Sequence, residues 1–168
     1  MLIDYILIAF LVICSITDIF YRKAFNVVTY PVIFIAIILN SLYFGPSGLV
    51  NSLLGALLGM AFLLAFYMIG GMGAGDVKFM MAVGALKGWN FVLFGGLYGA
   101  VIAAALSILI MIYKNTLIKS LKKVFQFLLF LFVSKTAIPI DKESTIHLPY
   151  CFFLSLGMAL RLYEIYYK

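Results

Sequence analysis

The chain has 168 residues, of which 66% are hydrophobic and only 11% charged, with a formal net charge of +6 and a mean hydropathy of +1.19. A water-soluble domain averages about a quarter charged residues, so this composition excludes one and points to an all-α integral membrane protein. At about 20 apolar residues per crossing helix, the length admits six or seven spans at most and leaves no soluble catalytic domain over.

The first apolar stretch occupies residues 2–17. A secretory signal carries positive charge before its apolar run and a small-x-small cleavage site after it. Here Asp4 precedes the run and Arg22-Lys23 follow it. The stretch is therefore expected to be a retained first span with its N-terminus outside, ending in a polar joint from Asp18 to Asn26. A second span is predicted over residues 27–44, and the cluster Gly45-Pro46-Ser47-Gly48 marks an outer turn. The third span covers residues 49–69 and returns to the inner side, where the stretch GGMGAGDVK, Gly70 to Lys78, begins.

A helix from about Asp76 to Lys87-Gly88-Trp89 would cover only ~20 Å at 1.5 Å per residue. It is expected either as a short, partly buried helix or as one that starts within the membrane. Residues 91–113 form a full span, followed by a basic inner segment over residues 114–123. Residues 124–133 make half a span, so an interfacial or re-entrant helix is expected there. The last span is placed over residues 149–167. The expected fold is one domain, residues 1–168, built as a six-transmembrane-helix bundle with both termini outside.

Charge agrees with that layout, because Arg22, Lys23, Lys78, Lys114, Lys119, Lys122, Lys123, Lys135 and Lys142 fall inside, against Lys87, Arg161 and Lys168 outside. The net positive charge thus reads as a positive-inside topology signal, and no nucleic-acid partner is expected. Cys14 and Cys151 lie in apolar runs without a CxxC pair, which suits small packing residues and indicates neither a zinc site nor a disulfide. His147 has no second histidine to form a metal site, so no metal or cofactor is expected. Gly55, Gly59, Gly84, Gly95, Gly96 and Gly99 suit close helix packing in lipid.

Among the acidic residues, Asp4, Glu164, Asp141 and Glu143 are expected at solvated positions. Asp18 and Asp76 differ, since each abuts an apolar helix on the inner side, and ionisable groups at membrane depth are costly and usually functional. If their helices pack together, the two carboxylates can share one proton. One then acts as base toward a water while the other, protonated, polarises a peptide carbonyl. Gly73 and Gly75 are expected to adopt positive φ before the helix and to let an extended chain approach Asp76. The alternative is that the glycines only turn the chain and Asp76 only caps the helix that follows. A phosphate loop is excluded, because an acid stands where phosphate would need donors.

Gly73-Ala74-Gly75-Asp76-Val77-Lys78 resembles the GxGDxK motif of the prepilin peptidases, the type IV leader peptidase family of membrane aspartic proteases. Asp18, Arg22 and Asn26 keep the polar spacing of that family's first aspartate motif, with Ala24-Phe25 in place of its Ile-Pro. Leu148-Pro149-Tyr150 resembles its Ile-Pro-Tyr-Gly motif, with Cys151 in place of the glycine. The resemblance implies Asp18 and Asp76 as the catalytic pair, Gly73, Gly75, Lys78, Arg22 and Asn26 as supporting residues, and Pro149 and Tyr150 at a substrate groove.

It also implies a prepilin or prepseudopilin partner, cleaved at the cytoplasmic face of the bacterial cell membrane, with membrane lipids around the protein. The larger members carry a cytoplasmic insert linked with N-methylation of the cleaved pilin. This chain has no room for it and resembles the short members associated with tight-adherence, Flp-type pili, so methyl transfer is expected to be absent. Lys78 and Arg22 read equally as positive-inside anchors, and Tyr150 as an interfacial aromatic. Presenilin-like proteases are a rival enzyme class, but their Tyr-Asp and Pro-Ala-Leu motifs do not occur here. A second reading is a small transporter or assembly component that binds a cation or proton at Asp18 and Asp76.

Overall fold

The computed structural model describes residues 2–21, 25–68, 72–113 and 150–167. These residues are helical almost throughout: α1 (Leu2–Tyr21), α2 (Asn26–Met68), α3 (Ala74–Lys87), α4 (Trp89–Tyr113) and α5 (Tyr150–Tyr167). Among the described residues, three helices are long and apolar enough to cross a membrane, namely α1, α2 and the portion of α4 from Trp89 to Leu109. Arg22, Pro149, His147 and the interfacial or re-entrant helix expected over residues 124–133 lie outside the described residues.

The chain divides into two units, Met1–Ala103 with Pro149–Lys168 and Ala104–Leu148. Of the second unit, the described part is the end of α4, residues 104–113.

In the first unit, α2 is two helices in one. Gly45 sits at φ 61, ψ −148, a conformation essentially restricted to glycine, and breaks the helix just before Pro46. The turn expected at Gly45 to Gly48 is therefore a single-residue break. The two halves run in opposite directions past α3. In the first half, Asn26 meets Lys78 and Asn40 meets the Ala85 and Leu86 carbonyls. In the second half, Ser52 meets the Ala85 carbonyl, whereas Gly59 lies against Met80.

α1 runs antiparallel to α3, with Asp4 on Lys87 at one end and Phe10 stacked on Phe79, centroids 5.5 Å apart, farther along. α5 runs antiparallel to the start of α4, with Arg161 at Asn90, Met158 at Gly95 and Leu154 at Gly99.

α3 is the centre of this unit. Val77, Phe79, Met80, Ala82, Val83, Ala85 and Leu86 are all buried, so the helix presents apolar surface around its whole circumference. Such a helix needs neighbours on every side. Glycine contacts bring backbones together: Gly55 and Gly59 of α2 lie against Gly84 and Met80 of α3, and Gly157 of α5 against Gly99 of α4. In lipid, where burial of apolar surface supplies little drive between helices, such close approach gives the dispersion contact that holds them.

The end of α3 also depends on polar partners. Its last carbonyls have no helical N–H to accept from, and an unsatisfied backbone group in a bilayer costs several kcal/mol. Asn40 Nδ2 donates to the carbonyls of Ala85 and Leu86 at 3.0 and 3.2 Å, and Ser52 Oγ donates to Ala85 at 2.7 Å. Both polar side chains are buried.

The end of the unit away from Asp18 and Asp76 carries ion pairs. Lys87 Nζ lies 2.6 Å from Asp4 Oδ1, which Tyr166 also approaches through Oδ2, and Arg161 lies 2.6 Å from Glu164. Asp4 and Glu164 are thus paired and partly buried, a correction to their expected solvated positions. An isolated carboxylate beside an apolar helix is costly, and a neighbouring cation offsets that cost.

A Cβ at residue 84 would run into the Gly55 backbone, whereas one at Gly73 would meet only ordinary contact, 3.5 Å from Asp76 Oδ2. Gly84→Val should therefore lower stability by about 1–3 kcal/mol, read as a lower unfolding midpoint in detergent micelles. Gly73→Ala should stay within about 0.5 kcal/mol of the parent.

Candidate active site

Asp18 lies inside α1, which continues to Tyr21, and not in the polar joint expected to begin there. It is 5% exposed and Asp76 9%. The two come from antiparallel helices and meet the same turn of a third. At the start of α5, the Phe152 N–H donates to Asp18 Oδ2 at 3.2 Å, and the Cys151 Sγ–H donates to Asp76 Oδ1 at 2.9 Å. The first N–H groups of a helix have no helical acceptor and carry the positive end of its dipole, so the start of α5 is a natural partner for a carboxylate.

Asp76 also ends a backbone problem of its own helix. α3 begins at Ala74, two residues earlier than expected, which puts Asp76 in its first turn. Its Oδ2 accepts the Gly73 N–H at 3.2 Å. The capping reading thus holds for Oδ2, while Oδ1 takes the Cys151 thiol.

The expectation of positive φ at Gly73 is corrected: Gly73 has φ −81, ψ 152, an extended conformation open to any residue, and Gly75 is within the helix. Positive φ is found at Gly45 and Gly88 among the described glycines. What Gly73 and Ala74 do supply is exposed, nearly bare backbone next to Asp76.

The supporting residues fall into two groups. Lys78 Nζ donates to Asn26 Oδ1 at 2.8 Å and lies 5.2 Å from the centre of the Tyr30 ring. This contact ties the start of α2, which follows Asp18 in the chain, to the helix that carries Asp76. Tyr150 opens α5 and is half-buried.

Cys151 is the residue that sequence reasoning missed. It was expected only to pack, yet it is 1% exposed and bonded to Asp76. The one available signal was its place directly after Pro149-Tyr150, where a different residue had been expected. Cys14, one turn before Asp18 on α1, is also buried. Among the described residues, no cluster of three or more His, Cys, Asp or Glu side chains is arranged to hold a metal ion.

Two buried carboxylates held at one end of an apolar helical bundle define a membrane protein with an acidic pair as its candidate reactive centre. Residues 5–112, more than half of the chain, match the type IV leader peptidase family, and the protein belongs to that family. The matched segment contains Asp18 and Asp76 and ends before α5. The family is one of peptidases, so membership implies proteolytic removal of a leader peptide. Neither the curated proteins nor the solved structures give a match.

The Cys151 contact can be tested apart from any activity. Cys151→Ser keeps a donor for Asp76 Oδ1 and should leave the unfolding midpoint close to that of the parent. Cys151→Val fills similar space but removes the donor, and leaving a buried acceptor unsatisfied should cost about 1–3 kcal/mol.

Proposed function

We propose that the protein is an intramembrane aspartic endopeptidase that removes the leader of type IV prepilins or prepseudopilins, Flp-type pilins foremost. Asp18 and Asp76 are its catalytic pair. The observation that carries this reading is the meeting of two buried carboxylates, from α1 and α3, at the first turn of α5 in a chain of the leader peptidase family.

In the reaction, the ionised carboxylate takes a proton from water as the water oxygen bonds to the scissile carbonyl carbon. The protonated carboxylic acid gives its proton to the carbonyl oxygen, forming a tetrahedral diol. Collapse of the diol breaks the C–N bond: the proton on Asp76 passes to the departing amine while one diol hydroxyl gives its proton to Asp18, restoring one proton on the pair. Asp76 accepts hydrogen bonds at both oxygens, which suits the carboxylate form, so Asp76 acts as the base and Asp18 as the proton donor. The reaction uses side chains and water alone. Tyr150 borders the substrate path, and Lys78 with Asn26 holds the start of α2 against α3; by the family resemblance Pro149 and Arg22 act with them.

The chain is read as one membrane-embedded domain, residues 1–168, with six helical passes: α1, the two halves of α2, α3, α4 and α5. The distribution of basic residues supports a cytoplasmic position for the Asp18 and Asp76 end in the bacterial membrane. The exposed Gly73-Ala74 backbone lets an extended leader junction pass beside Asp76 without meeting bulky side chains.

Co-expression with each candidate prepilin of the source genome, followed by N-terminal sequencing, tests the reading. Parent protein should remove the leader, while Asp18→Asn and Asp76→Asn should each slow removal by about 10²–10⁴-fold. Cleavage by either well-folded variant at the parent rate would refute the pair, and ion transport that depends on the carboxylates without any proteolysis would favour the transporter reading instead. The mature pilin N-terminus, analysed by mass spectrometry after incubation with methyl donor and this protein alone, should carry no methyl group.

A further inference from the structure

An apolar groove of about 590 Å³ lies between α1 and α5, bordered by Val12, Ile16 and Ile19 on one side and Phe152, Leu156 and Ala159 on the other. It reaches the candidate active site at one end. Ile19 follows Asp18 in the chain, and Phe152 both borders the groove and donates its N–H to Asp18. The other end reaches Tyr166, whose hydroxyl donates to Asp4. From Phe152 to Tyr166 a helix rises about 20 Å at 1.5 Å per residue, so the groove follows much of the ~30 Å apolar thickness of a bilayer.

Its chemistry suits a helix. Val12, Ile16 and Leu156 are 52%, 50% and 40% exposed, so the walls are open to the membrane. Small side chains, Ser15, Ser155 and Ala159, also line the groove, and small residues let another helix come close.

We propose that this groove docks an apolar substrate helix, taken to follow directly on the leader that is removed, an inference that rests on the leader-peptidase reading above. A helix seated between α1 and α5 ends at the level of Asp18. The first extended residues beyond that end then lie at Asp18 and the exposed Gly73-Ala74 backbone beside Asp76. The cleaved bond is thereby selected by where the substrate's apolar helix stops. The walls offer dispersion contact and no charged side chain, so helices of varied apolar sequence are accepted.

Site-directed disulfide cross-linking tests the proposal. Val12→Cys and Leu156→Cys variants, with Val101→Cys on the exposed face of α4 as control (Val101 is 68% exposed), would each be co-expressed with a prepilin-like chain of the source genome. That chain carries one cysteine midway along its apolar helix. The native Cys14 and Cys151 are 1% exposed, and parent protein measures their background. Cross-linking at Val12→Cys and Leu156→Cys at least tenfold above both Val101→Cys and parent is the expected result.

Leader removal by the parent protein without cross-linking at the groove would overturn the docking site and leave the peptidase standing. Cross-linking at the groove without leader removal would keep the docking site and remove the peptidase. Cross-links between two copies of this chain at Val12→Cys, in place of the substrate, would overturn the proposal in favour of a dimer face. Neither cross-linking nor cleavage would overturn both readings.

Discussion

A short helix enclosed by apolar neighbours must have the free groups at both its ends satisfied by other parts of the protein, and α3 is such a helix. Its N-terminal end is closed by Asp76, which accepts the Gly73 N–H. Its C-terminal end is closed by Asn40 and Ser52, each from a different half of α2. The arrangement explains why α2 turns back at Gly45: both halves are needed beside α3, and a single straight helix would supply one polar partner only. It also explains the buried Asn40, Ser52 and Asp76 in so apolar a chain, since these three answer backbone groups at the ends of α3 that lipid cannot.

The same constraint builds the candidate active site. Asp76 is fixed by its own helix start through one oxygen, which leaves the other for Cys151. Asp18 is fixed by the start of α5 through the Phe152 N–H. Consecutive residues of α5, Cys151 and Phe152, contact the two aspartates. Rigid elements thus hold the carboxylates, the condition under which positioned acids and bases work well. The Lys78 to Asn26 contact secures the same end from outside, while the Asp4 to Lys87 and Arg161 to Glu164 pairs secure the opposite one.

Much of this was legible in the chain order of polar residues. Asp18 and Asp76 stand out because so few charges occur within apolar stretches, and the GxGD stretch with Lys78 carries the family resemblance on local spacing alone. Helix boundaries near Lys87, Tyr113 and Tyr167 followed from glycine, charge and hydropathy. Other readings failed for local reasons. Asp18 was placed in a joint because a carboxylate ends a hydropathy run, although the helix continues to Tyr21. Gly73 was given positive φ because glycine permits it, although the chain there is extended. Asp4 and Glu164 were given to solvent because their cationic partners are remote in sequence or on the next helical turn.

The sequence by itself determined the membrane-embedded, all-helical class, the positions of the two aspartates relative to the apolar runs, and the family motifs, because hydropathy and motif spacing are properties of neighbouring residues. Only the tertiary structure decided which face of each helix turns inward. In lipid the outward and inward faces are equally apolar, so periodicity carries little information about which side packs. The Cys151 to Asp76 bond, the Asn40 and Ser52 contacts with the end of α3, and the joining of Asn26 to Lys78 all depend on that choice and on residues from 33 to 75 positions apart in the chain.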